Sequence, residues 1–262
     1  MISSPARRPL LQRAKYALPS LVTLLSIACG FSSIIVAVDN ARIGAAGDYR
    51  LAAGLLVLAG VFDALDGMVA RATNTGSDFG MQLDSIADVM NFGCAPAVLL
   101  YCYGFVLLGL HDPQLLRLGG IASFFFVACG ALRLARFNVN VGRTDPQYFV
   151  GMPITAGAAC VAAVVVAWPA ALVAPWQGYL LLVLLVGVGG LMVSTVRFPS
   201  SKQKKGVLAA LVLVCLALLV WLTTAFFALF FACYVALTLA LNLAWRLGWR
   251  GVAQPQVYVD PE

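Results

Sequence analysis

The sequence predicts an all-α polytopic membrane bundle of about eight transmembrane helices with both termini cytoplasmic. Three observations carry this: an apolar content beyond that of soluble domains, apolar runs of spanning length, and basic residues that alternate from loop to loop. Of 262 residues, 62% are hydrophobic and 11% charged, and the mean hydropathy is +0.93. A crossing helix needs about 20 apolar residues. Runs of that order occupy 21–38, 51–70, 83–108, 118–138, 150–170, 178–197, 206–223 and 225–245.

Residues 1–18 form a basic juxtamembrane segment in which Arg7, Arg8, Arg13 and Lys15 surround Leu10, Leu11 and Tyr16. A short interfacial helix ending before Pro19 and an unstructured tail are both open readings. The run after Lys15 exceeds the apolar region of a signal peptide, so it is taken as the first span. The stretch Gly206–Trp245 has no charged residue. At about 1.5 Å per residue it is too long for one crossing and is expected to fold back at Thr223 and Thr224. Residues 19–250 are expected to form one membrane domain, without linker or internal repeat, and 251–262 a tail.

Loop charge supports this count. Arg7, Arg8, Arg13, Lys15, Arg71, Arg133, Arg136, Arg143, Arg197, Lys202, Lys204, Lys205, Arg246 and Arg250 fall on one side, and Arg42, Arg50 and Arg117 on the other. The net charge of +6 therefore sits at membrane edges, where it attracts anionic lipid headgroups and is no sign of nucleic-acid binding. The seven cysteines lie in apolar segments without metal-ligand spacing and read as packing residues.

Residues 62–88, FDALDGMVARATNTGSDFGMQLDSIAD, place four acids inside the membrane, with Asp78 in the connection. Asp63 and Asp66 are three apart and Asp84 and Asp88 four apart, so each pair projects from one helix face. Counted back from Arg71, Asp63 lies about 12 Å down its helix. Each buried acid costs about 2.5–3.5 kcal/mol on insertion scales, and mutual repulsion adds to this. Arg71 is the only basic residue in the stretch, leaving three of four charges uncompensated. Divalent cations close that gap, and all-oxygen ligation favours two Mg²⁺ or Mn²⁺ ions held by Asp63, Asp66, Asp84 and Asp88. Gly67, Ala70, Gly76 and Gly80 allow a ligand close to the backbone, and Arg71 can grip a phosphate bidentately. The only histidine, His111, falls on the opposite side, so a carboxylate must handle any proton.

The pattern Asp63-x-x-Asp66-Gly67-x-x-Ala70-Arg71, eight residues, Gly80-x-x-x-Asp84-x-x-x-Asp88 resembles the full signature of the CDP-alcohol phosphotransferases. The resemblance implies a six-helix core, usually dimeric, a metal site facing the cytoplasm, and transfer of a substituted phosphoryl group from a CDP-linked donor to an alcohol with release of CMP. Within the family the chain looks most like the integral-membrane phosphatidylserine synthases of bacteria and archaea, over most of residues 18–205. That likeness rests on Leu18–Thr23 with Cys29–Phe31, Asn91–Ala97, Ala131–Asn138, Phe149–Pro153, and Leu191–Ser194 with Arg197 and Phe198. Ser20 and Ser26 stand where such enzymes often have asparagine, and Asn91 where serine is common.

The resemblance implies CDP-diacylglycerol as donor, L-serine as acceptor and a prokaryotic cell (inner) membrane as location. Asp63, Asp66 and Asp84 would hold the ions, with Asp88 contributing while acting as general base. Thr23, Gly67, Ala70, Arg71 and Gly80 would surround the CDP moiety. The serine carboxylate needs cationic donors, so Arg133 and Arg136 come first, with Arg197, Lys202 and Asn138 as further candidates; the positive-inside rule alone also explains these charges. Glycerol 3-phosphate, inositol phosphate or choline remain alternative acceptors. A divalent-cation transporter is the alternative from another class. Acids gathered near one face, without repeated halves, argue against it. A structural scaffold gives no reason to retain uncompensated acids.

Overall fold

The computed structural model describes residues 10–73, 77–139, 148–199, 234–236, 238–240 and 242–243. Its elements are α1 (Leu10–Ile43), α2 (Arg50–Thr73), α3 (Asp78–Asp88), α4 (Ala95–Leu100), α5 (Pro113–Val139), β1 (Tyr148–Val150), α6 (Ile154–Ala167), α7 (Pro175–Val193) and β2 (Arg197–Pro199). A π-type turn at Val89–Cys94 joins α3 to α4, and a second at Tyr101–Val106 extends α4, so that they run as one rod. The all-α membrane architecture expected from the sequence is present. Five of the described helices are long and apolar enough to cross a bilayer, and α6, with 14 residues, is a shorter apolar helix. The expected span at 206–223 lies outside the described residues; of 225–245 only short helical pieces between 234 and 243 are described.

The rod Phe79–Val106 is the axis of the bundle: 67% of its most apolar stretch is buried, against 28–33% in the other four long helices. Leu21, Leu24, Phe31, Ile35, Ile121, Phe124 and Val183 point outward, as lipid-facing side chains do. Small residues let the helices close on one another. A β-carbon on Gly119 would run into the Phe105 ring, and one on Gly157 into the Met192 side chain.

Several boundaries differ from the sequence expectation. α1 passes through Pro19 without ending. A proline removes one hydrogen bond to the carbonyl four residues back, here that of Lys15 near the start of the helix, where water or headgroups can serve it. The third span begins at Asp78 rather than near 83, because Ser77 accepts a hydrogen bond from the Gly80 amide at 3.0 Å and caps the helix. The π-type turn before Pro96 relieves the ring from the regular hydrogen-bonding ladder, in which it has no N–H to offer.

Sequence reading placed span edges at 150 and 197, where the structure has two short antiparallel strands pairing Tyr148 with Pro199, Phe149 with Phe198 and Val150 with Arg197. Pro153 explains this, since it favours extended backbone before it and starts α6 only afterwards. The Gly151 amide donates to Val196 O at 2.8 Å and the Met152 amide to Leu191 O at 3.0 Å, fastening the start of α6 to the end of α7. Asn242 completes the joint: it accepts from the Arg197 amide at 2.9 Å and donates to Arg197 O at 2.6 Å.

At the other end of the bundle, Tyr49 donates to Cys102 O at 3.0 Å and Tyr103 to Trp168 O at 2.7 Å, with their rings edge to face. His111 lies at this end, as the charge pattern anticipates.

Gly151 has φ +79°, and a β-carbon there would collide with the Met192 carbonyl. Gly151→Ala should therefore destabilise the protein by about 1–3 kcal/mol from backbone strain alone, read as a lower thermal unfolding midpoint in detergent. An unchanged midpoint would count against the strand joint as described.

Candidate active site

α2 runs toward the end where α3 starts, so the two acidic pairs meet in antiparallel register. Asp63 and Asp88 form the deeper level and Asp66 and Asp84 the shallower one. Carboxylate oxygens of Asp63, Asp66 and Asp84 lie within 4.8 Å of one another; Asp66 is buried and Asp84 the most open. The Asp88 carboxyl faces that of Asp63.

α1 supplies the third wall. The buried Thr23 hydroxyl lies 2.7 Å from Asp66 Oδ2, to which it can donate, and 3.1 Å from Pro19 O. Thr23 therefore touches a carboxylate of the cluster, a contact that its expected place beside CDP did not include. On α2, Gly67 makes room for Arg71: the position of a β-carbon on Gly67 is 3.3 Å from Arg71 Nη1, so the exposed guanidinium folds back over the glycine toward Asp66. Ala70 lies between them in sequence, half-buried. Gly80 sits in the first turn of α3, its amide held by Ser77.

Among the described residues no salt bridge within 4 Å reaches any of the four aspartates; Arg42–Asp39 and Arg50–Asp48 are on the outer loop. Hard oxygen donors at this spacing, with net negative charge, fit Mg²⁺ or Mn²⁺.

The residues expected at the acceptor separate into different environments. Arg133 is 8% exposed, faces Asp88, and lies over the rings of Phe137 at 5.2 Å and Phe149 at 5.7 Å. Its Nε has no hydrogen-bond partner among the described residues. Arg136 is exposed and donates to Val193 O at 3.0 Å. Asn138 is exposed and donates to Ser85 Oγ at 3.0 Å. Arg197 lies on β2, and Lys202 is outside the described residues.

Sequence reasoning missed Phe149, although it had singled out the segment containing it; nothing in the sequence pairs 149 with 133 until β1 folds against β2. It also noted Ser26 and Asn91 only as separate departures from relatives. They touch: Asn91 Nδ2 donates to Ser26 Oγ at 2.8 Å.

Residues 16–190 match the family model for CDP-alcohol phosphatidyltransferase. A CDP-diacylglycerol–serine O-phosphatidyltransferase of Helicobacter pylori is 38% identical over 204 residues, covering 78% of this chain and 80% of that protein. One of the same name from Methanocaldococcus jannaschii is 38% identical over 164 residues, covering 63% and 71%. An archaetidylserine synthase of Methanothermobacter thermautotrophicus is 32% identical over 185 residues, covering 70% of each chain. With its signature aspartates gathered at one end of a membrane bundle and the match spanning α1 through most of α7, the chain belongs to the CDP-alcohol phosphatidyltransferase family.

Proposed function

We propose that this protein transfers the phosphatidyl group of CDP-diacylglycerol to the hydroxyl of L-serine and releases CMP, at a site facing the cytoplasm in a prokaryotic cell membrane. The observation that carries the reading is the convergence of Asp63, Asp66 and Asp84 from two helices, without a neutralising ion pair among the described residues. The names of the three relatives support the acceptor: all three contain serine, while the lipid part differs in one of them. The excess of Lys and Arg at the acidic end supports the orientation.

Asp63, Asp66 and Asp84 would hold two divalent ions, with Asp88 contributing to one. Bound there, the ions supply charge neutralisation for the donor's pyrophosphate. Arg71, folded over Gly67, is placed to grip a phosphate oxygen, while Gly67, Ala70 and Gly80 leave the backbone open to the CDP moiety. Thr23 would hold Asp66 in position by its hydrogen bond. Asp88 takes the proton from the serine hydroxyl as its oxygen bonds to phosphorus, and the bond from phosphorus to the CMP oxygen breaks. Arg133 is suited to the serine carboxylate, because it is buried, packed against two rings and has an Nε–H without a partner among the described residues. Arg136, Arg197 and Lys202 would contribute to the surrounding positive field, and Asn138 would offer a neutral hydrogen-bonding amide near them. An apolar groove of about 490 Å³ between α3 and α5 includes Ser85 and Val89, which directly follow Asp84 and Asp88, and offers a dry surface to an acyl chain.

CMP release from CDP-diacylglycerol by the purified protein tests the reading. Release should require L-serine, vanish on chelation and return with Mg²⁺ or Mn²⁺. Asp88→Asn should lower turnover about 10²–10⁴-fold, the contribution of a positioned base. Dependence on glycerol 3-phosphate, inositol phosphate or choline instead would replace the acceptor, and metal-independent release would discard the site.

Arg133→Lys keeps the charge but loses the planar fork. It should raise KM for serine about tenfold or more, as expected for a lost charge-assisted hydrogen bond, with a smaller effect on KM for the lipid. An unchanged KM for serine would remove Arg133 from the acceptor site.

A further inference from the structure

One turn below the acidic cluster, three helices are joined by a buried polar relay that the proposed chemistry does not use. Asn91 Nδ2 donates to Ser26 Oγ at 2.8 Å, and Ser26 donates onward to Ala59 O at 2.7 Å. Asn91 and Ala59 are 0% exposed and Ser26 is 1% exposed. Each member is one helical turn from a residue of the site: Asn91 three after Asp88, Ser26 three after Thr23, and Ala59 four before Asp63. The other side of the Asn91 amide is equally constrained. Among the described residues its Oδ1 has no hydrogen-bond partner, and it presses against Gly30, where any β-carbon would collide with it.

Asn91 lies within the π-type turn that begins directly after Asp88. Departure from the regular hydrogen-bonding ladder leaves the rotation and height of the chain here less determined by its own backbone. A side-chain anchor to two neighbouring helices can supply what the backbone does not. We infer that Asn91, Ser26 and Gly30 act as a positioning device that fixes the level of Asp88 against Asp63 and Asp66, and so sets the geometry in which the four carboxylates take up divalent ions. This rests on the metal reading of the cluster. Asn91 and Ser26 touch neither substrate nor ion; they act through the aspartates above them.

The two side chains can be exchanged, since the pair keeps its total volume and one amide-to-hydroxyl hydrogen bond in either direction. Three full-length variants are compared with wild type in detergent, each first shown to be monodisperse: Asn91→Ala, Asn91→Ser, and the exchange S26N/N91S. Mn²⁺ binding is followed by the electron paramagnetic resonance signal of free Mn²⁺, and kcat and KM for CDP-diacylglycerol by CMP release. Asn91→Ala and Asn91→Ser should weaken Mn²⁺ binding and lower kcat, each about tenfold, as loss of a support behind metal ligands typically does, with KM for the lipid little changed. The exchange should return both to within about threefold of wild type, far short of a supporting residue's usual deficit. Wild-type Mn²⁺ binding in folded single variants would overturn the inference. So would an exchange no better than Asn91→Ser, or one that does not fold, because a pair that sets register must tolerate reversal. If wild-type protein binds no Mn²⁺, the metal reading fails instead, and the kcat values of the same variants still decide whether the pair positions Asp88.

Discussion

Repulsion among carboxylates in a low-dielectric bundle is the constraint on which the rest of the molecule turns. Two unit charges at the 4.8 Å limit found for Asp63, Asp66 and Asp84 repel by about 3–4 kcal/mol at an effective dielectric constant of about 20. Three such pairs approach about 10 kcal/mol, comparable with the whole stability of an ordinary domain. A helix pair held only by apolar contact would relieve that energy by splaying or rotating. The protein opposes it with directional bonds on the faces where the helices meet. Thr23, Ser26 and Ser33 of α1 each reach α2, at the Asp66 carboxylate and the carbonyls of Ala59 and Ala52, all at 2.7 Å. Positions 23, 26, 30 and 33 recur at helical spacing, so one stripe of small residues serves both close approach and hydrogen bonding.

The opposite end of the bundle has a different character. There Tyr49, Tyr103 and Trp168 tie helices together through backbone carbonyls, with ring packing around them. Interaromatic and hydrogen-bonded contacts of this kind make that end a fixed base. The acidic end keeps Arg71, Asp84 and Asn138 accessible around a recessed centre. A lipid headgroup can enter from this end while the distal half of the bundle holds the helix axes in place.

Legibility in the sequence followed the range of the interactions. The aspartates, Gly67 and Arg71 could be read because their spacing is local to one helix or to two joined by a short connection. Span existence was legible from composition; span edges were not, where a capping serine, a proline inside a helix, or a strand intervened. Ser77 moved the start of α3 by one and a half turns, and β1 with β2 took residues from the ends of two expected spans. The site's least legible parts involve pairs distant in sequence: Phe149 beside Arg133, and Ser26 beside Asn91. Neither member of such a pair carries a pattern of its own. The second pair was visible only as two unexplained departures, which contact turns into one exchange.

Placement also bears on the acceptor, which charge counting left open. On sequence alone, Arg133, Arg136, Arg197 and Lys202 together could have served a phosphorylated alcohol. Of the three arginines expected at the acceptor, Arg133 is the buried one and faces Asp88, while Arg136 is exposed and donates to the Val193 carbonyl. A phosphate carrying nearly two charges calls for several converging cations. A buried guanidinium packed against two rings beside a carboxylate cluster suits an acceptor with one carboxylate, whose ammonium group meets the remaining negative charge. That balance supports a zwitterion, and serine is the one named by the relatives.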